Sequence, residues 1–206
     1  MSKLSKVGES LKKVIGITGG IATGKSTIDN IIKALGYQVI DSDNISKTLS
    51  QKGGCVYKEI VNNFGEEYLD SLGNLDRQKL GKLIFNDVKA KELLNRISHP
   101  LIVEEIKKEV EISPNEIIFV DIPLLFESKL AYLCDKIICV YVPQEVQLKR
   151  LMARDKIAKD YAIAKINSQM DLGIKKDQSD YVVSTLGDLE SSKEQVIKII
   201  KDIKGV

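Results

Sequence analysis

A chain of 206 residues with 43% hydrophobic and 29% charged residues has room for one compact α/β domain carrying an inserted subdomain. Its 31 Lys and Arg against 29 Asp and Glu leave a net charge of +2, and without Trp and with 5% aromatics it offers neither the field nor the stacking platforms of a nucleic-acid binder. No apolar run is long enough to span a bilayer and none resembles a signal peptide, so no membrane partner is expected. Cys55, Cys134 and Cys139 lack CxxC spacing and there is one histidine, which argues against zinc and places free thiols in the cytoplasm.

Residues 1–12 are polar and read as a short, frayed extension. Val14-Ile-Gly-Ile opens a first buried strand over 14–18, followed by a glycine-rich loop and a helix from about 25 to 35, with Gly36 at its C-cap. Tyr37 to Asp41 reads as the second strand. About 75 residues of mainly helical pattern then precede the third, far more than a simple crossover needs. They contain Gly53-Gly54, a turn at Ser71 to Asn74 and a helix from Asp76 to Asn86. Ile117 to Asp121, Lys136 to Val142 and Asp180 to Ser184 are short and β-branched, which suits a parallel sheet covered by helices on both faces. A helical excursion over 143–176 is predicted as one helix from Gln144 to Arg154 and another from Asp160 to Lys175. Leu189 to Ile203 forms the last helix, with Val196, Ile199, Ile200 and Ile203 as its packing stripe.

The chemistry concentrates in the loop. Gly19-x4-Gly24-Lys25-Ser26 between a strand and a helix is a phosphate-binding pattern. Gly19, Gly20, Ile21, Ala22, Thr23 and Gly24 let backbone N–H groups converge on an anion, and the helix beginning at Lys25 adds its positive dipole end. Lys25 supplies a mobile charge for the β- and γ-phosphates of a nucleotide, Ser26 a hydroxyl for Mg2+, and Thr27 follows one position on.

Asp121 ends an apolar strand, where a second acid supports Mg2+ through its water shell; capping of a turn is the structural alternative. Asp41-Ser42-Asp43 ends the second strand. A turn after Asp41 would free Asp43 to accept the proton of an attacking hydroxyl, and a helix N-cap is an equally good reading of the same residues. Arg150 and Arg154, four apart on one helix, suit the charge of a transferring phosphoryl group or a solvated face.

Taken in order, Gly16-Ile-Thr-Gly-Gly-Ile-Ala-Thr-Gly-Lys-Ser-Thr27, Asp41-Ser-Asp43, His99-Pro100-Leu-Ile, Asp121-Ile-Pro-Leu124-Leu-Phe-Glu127 and Arg150-Leu-x-x-Arg154 resemble the dephospho-CoA kinase family over about residues 13–187. The resemblance implies ATP-dependent phosphorylation of the ribose 3′-hydroxyl of dephospho-CoA. It implies a P-loop NTPase-type, three-layer α/β/α fold: a core from 13–43, 116–142 and 178–206, a helical acceptor subdomain over about 44–115, and a helical lid over about 143–177. Asp43 falls at the family's general base, and Arg77, His99, Pro100 and Leu124 fall at the acceptor site. Arg150 takes a catalytic place in the lid, with Arg154 toward ATP, and Gln169 matches a glutamine after the lid.

Some positions depart from the family. Lys47 stands where arginine or histidine is common, Ile166 (or Lys165) where an arginine is usual, and Ser184-Thr185-Leu186-Gly187 lacks an asparagine before the glycine. A nucleoside or nucleoside-monophosphate kinase is the nearest alternative, and the long insertion argues for a larger acceptor. A nucleotide-dependent switch is the alternative outside enzymes, and no Asn-Lys-x-Asp stretch supports it.

Overall fold

A computed structural model describes residues 12–206. The predicted extension over residues 1–12 lies outside the described residues except for Lys12. Strand β1 (Lys13–Gly19) leads into helix α1 (Lys25–Ala34) and strand β2 (Gln38–Asp41). Four helices follow: α2 (Ser42–Leu49), α3 (Cys55–Phe64), α4 (Arg77–Asn86) and α5 (Val88–Ile112). Then come β3 (Ile117–Asp121), β4 (Lys136–Tyr141), α6 (Gln144–Asp155), α7 (Lys159–Asn167), α8 (Leu172–Asp177), β5 (Tyr181–Ser184) and α9 (Leu189–Lys204). All five predicted strands are present, within a residue at each end.

The chain divides into two compact units, one made of the segments up to Ile40 and from Ser113 onward, the other of Asp41–Ile112. The first holds the sheet, in order β2-β3-β1-β4-β5, with β1 parallel to β3 and β4, and β4 parallel to β5. Strands carry side chains to alternate faces. Ile15 and Ile17 therefore share one face of β1 and join Ile28, Ile32, Phe119, Ile138, Val196 and Ile200 in a core between the sheet and helices α1 and α9. Gly16 points the other way, and a side chain there would strike the Cys134 sulfur at 2.7 Å. Residues 143–177 cluster with this unit.

The second unit has its own core. Val56, Ile60 and Leu80 are buried, with Leu49, Phe64, Leu83, Leu94 and Leu101 packed around them. Helix α5 runs through Pro100 without a break in its assignment. Among the described residues no helix is long and apolar enough to cross a membrane.

One predicted helix is corrected. The stretch from Asp160 to Lys175 is two helices, α7 and α8, separated at 168–171. The Asp171 side chain accepts hydrogen bonds from the Gly173 and Ile174 amides. It thus caps a new helix start instead of continuing the old one, the competition that makes Asp poor inside helices and good at their beginnings.

Candidate active site

The phosphate loop leaves β1 at Gly19 and turns back on itself at Thr23, whose amide and hydroxyl both donate to the Gly20 carbonyl, at 3.3 and 2.9 Å. Ala22 (φ 59°) and Gly24 (φ 89°) sit in the left-handed region. At Gly24 any side chain would be strained and would also meet the Thr185 hydroxyl at 3.1 Å. Helix α1 starts at Gly24 without a side-chain cap, so its dipole end and first-turn donors face an incoming anion.

Side chains far along the sequence hold the loop from outside. Buried Gln147 of α6 donates to the Ile21 carbonyl at 2.8 Å, and the Ile21 amide donates to Gln169 at 2.9 Å. The Thr185 hydroxyl donates to the Thr23 carbonyl at 2.6 Å. Arg150 of α6 donates to the Thr185 hydroxyl (2.8 Å) and carbonyl (2.6 Å). Arg150, expected at the transferring phosphoryl group, is therefore engaged with the loop after β5. Arg154 pairs with its neighbour Asp155 at 2.8 Å. The two arginines share α6 but serve different partners.

Below the loop, Lys25 pairs with Asp121 at the end of β3, where the side chain of Asp121 is 7% exposed. The structure thus brings together two residues that the sequence reading assigned to different tasks, phosphate binding and metal support, and it adds a third. Asp29 of α1 is also buried, and its carboxyl group faces that of Asp121. Burial first, and the Asp121 carboxylate second, push the Asp29 pKa up to about 7, with Lys25 pulling it the other way. Asp29 Oδ1 is buried with no hydrogen-bond partner. Among the described residues no group of three or more His, Cys, Asp or Glu stands ready for a metal. Hard oxygen donors here (the Ser26 hydroxyl, the Asp121 carboxylate and the unpartnered Oδ1 of Asp29) fit Mg2+, which is held by one or two carboxylates plus substrate phosphates.

The remaining predicted residues lie in the second unit, except Leu124, which is 41% exposed in the turn after β3. Asp41 is the N-cap of α2, accepting from the Asn44 amide at 2.9 Å. Of the two readings of the Asp41-Ser-Asp43 stretch, capping falls on Asp41 and does not occupy Asp43. Asp41 caps, and Asp43 stands exposed in the first turn. Arg77 begins α4. It helps line a cleft of about 200 Å³ whose floor is Val56, Ile60, Leu80 and Ile84. His99 is half-buried in α5, and burial lowers its pKa, favouring the neutral ring; Pro100 beside it is exposed.

Residues 13–191 match the sequence profile of the dephospho-CoA kinase family. The chain belongs to that family. A dephospho-CoA kinase of Carboxydothermus hydrogenoformans is 43% identical over 93% of this chain and 94% of its own. One from Listeria monocytogenes is 42% identical over 92% and 96%. Among solved structures, dephospho-CoA kinase from Campylobacter jejuni superposes with a TM-score of 0.70 at 32% identity, covering 94% of this chain and 98% of its own. Shikimate kinase from Acinetobacter baumannii, at 16% identity and a TM-score of 0.52 over 95% of each chain, shares the fold alone. The family assignment accounts for the phosphate loop, the parallel sheet and the helical insertion together.

Sequence reasoning missed Asp29, Gln147 and Lys175. Lys175 of α8 is fully buried, pairs with Glu127 at 2.7 Å, and donates to the carbonyls of Pro123 (3.0 Å) and Gly19 (3.3 Å). It ties the first glycine of the phosphate loop to the turn after β3. Removing one partner of a buried pair strands the other, and the Glu127 side chain is 22% exposed, so solvent recovers part of the loss. Lys175→Met is expected to cost about 3 kcal/mol of stability, the lower end for breaking such a pair, read from the denaturant midpoint.

Proposed function

We propose that the chain transfers the γ-phosphoryl group of ATP to the ribose 3′-hydroxyl of dephospho-CoA, giving coenzyme A and ADP, the last step of coenzyme A synthesis. The observation that carries the reading is the family match across 13–191 with every chemical position of the phosphate loop intact. In this scheme Gly19 to Thr27 hold the triphosphate. Lys25 leaves Asp121 for the β- and γ-phosphates, where its charge follows the one that develops during transfer. Asp43 takes the proton as the 3′-oxygen bonds to phosphorus and the γ-phosphorus–oxygen bond to ADP breaks.

Ser26 and Asp121 would hold Mg2+, which neutralises phosphate charge when bound. Unit 41–112 takes the acceptor, with Arg77 available for an acceptor anion and the apolar cleft beside it for an acceptor's uncharged portion. His99, Pro100 and Leu124 complete the acceptor set, and residues 143–177 act as the lid. Arg150 serves by fixing the loop at Thr185 to the phosphate loop before it serves the phosphoryl group. Its substrates are water-soluble, and we place it in the cytoplasm.

Purified protein supplied with Mg2+ and ATP should form ADP on addition of dephospho-CoA, and not with nucleosides or nucleoside monophosphates at the same concentration. Turnover with a nucleoside and none with dephospho-CoA would overturn the reading.

A further inference from the structure

Reading Gly19–Thr27 as a magnesium–nucleotide site leaves Asp29 without a task. It lies on α1 three positions beyond Ser26, so the two side chains leave the same side of the helix. Asp29 is 7% exposed, its carboxyl group faces Asp121, and Lys25 lies beside both. Its Oδ1 has no hydrogen-bond partner. An acid near a helix start is favoured by the dipole, but the dipole asks for no burial and no second acid. A buried carboxyl set against another, with one oxygen unpartnered, is a costly arrangement unless a shared proton or a cation completes it, and a divalent cation does so for both charges at once.

Lys25 is the cation on hand, and it cannot remain. A phosphate chain in the loop draws Lys25 to itself, and Lys25 carries one charge for two carboxyl groups. We propose that Asp29 is a third protein oxygen donor for the divalent cation that accompanies the nucleotide, beside the Ser26 hydroxyl and the Asp121 carboxylate, and that this cation replaces Lys25 at the carboxyl pair. The proposal rests on the nucleotide reading of the loop, not on the identity of the acceptor. Nucleotide and metal then help each other: phosphate removes Lys25 from the pair and vacates it for the metal, and the metal releases Lys25 to phosphate. Such coupling is reciprocal by linkage.

The test uses the full chain, Mn2+ as probe and ADP as nucleotide. Free Mn2+ is read by electron paramagnetic resonance, and ADP binding is measured separately in EDTA. Parent and Asp29→Asn are compared. Asp29→Asn is expected to weaken Mn2+ uptake in the presence of ADP by about 10- to 100-fold, the range for altering a metal site's surroundings. ADP affinity in EDTA should stay within about twofold, and the variant should melt in EDTA no lower than the parent, because one of two facing acids has gone.

Mn2+ affinity within twofold of the parent overturns the proposal. So does an equal loss of ADP binding in EDTA, which marks a purely structural residue. A variant that fails to fold overturns it too, since the metal-free fold is not meant to depend on this charge. No Mn2+ uptake by the parent with ADP sinks the nucleotide reading along with it, whereas failure of dephospho-CoA as acceptor leaves this comparison untouched.

Discussion

Lys25→Ala is expected to lower turnover with ATP and dephospho-CoA by roughly 10³-fold or more, the scale on which a cation supplied to a transferring phosphoryl group acts. Two effects run together in this variant. The charge that follows the γ-phosphate is gone, and the carboxyl groups of Asp121 and Asp29 are left facing each other without their cation. Uncompensated burial of this kind costs about 3 kcal/mol or more, so the melting temperature should fall as well. Rates are therefore compared well below the variant's transition. A folded Lys25→Ala protein with turnover within tenfold of the parent would remove Lys25 from the chemistry and leave it only the ion pair.

Asp43→Asn is expected to cut kcat by roughly 10²–10⁴-fold, the contribution of a positioned proton acceptor. The change is nearly isosteric, and Asp43 is exposed in the first turn of α2 while Asp41 makes the cap, so stability should hardly change. ATP affinity, measured without acceptor, should move by less than about twofold because the triphosphate is held by a different unit of the chain. The signature of a base is thus a kcat loss with ATP binding and melting temperature intact. Full activity in the variant sinks the assignment, and an equal loss in Asp41→Ala with a lowered melting temperature would mark the stretch as structural.

The parts of this protein visible in its sequence are those whose reason is local. A phosphate loop is a run of backbone requirements, so Gly19 to Ser26 can be read without knowing what surrounds them. The five strands carry their own β-branched signal, and α9 its own stripe. The residues that were missed owe their roles to tertiary partners. Asp29 and Lys175 look like solvated charges on short helices. They are buried because α1 packs on β1, the neighbour of β3, and α8 lies on β1 and β4. Arg150 was placed by its spacing to Arg154, but Thr185, 35 positions on, decides where it points. That partner stands in the segment where this chain departs most from the family pattern, and its hydroxyl reaches the phosphate loop itself at Thr23. The break between α7 and α8 was legible in principle, since Asp171 directly before the apolar Leu172 is a helix-start pattern.

The bracket around Ile21 has a practical consequence. Both polar groups of that residue's backbone are occupied by glutamines, the carbonyl by Gln147 and the amide by Gln169. Any excursion of residues 143–177 away from the loop strips the Ile21 amide of its acceptor and offers it to solvent. Its rate of exchange with deuterium therefore counts those excursions, at one identified position and without an attached label. Exchange at Ile21 that slows when both substrates are present, but not when either is present alone, would time the closing of the active site to the completed pair.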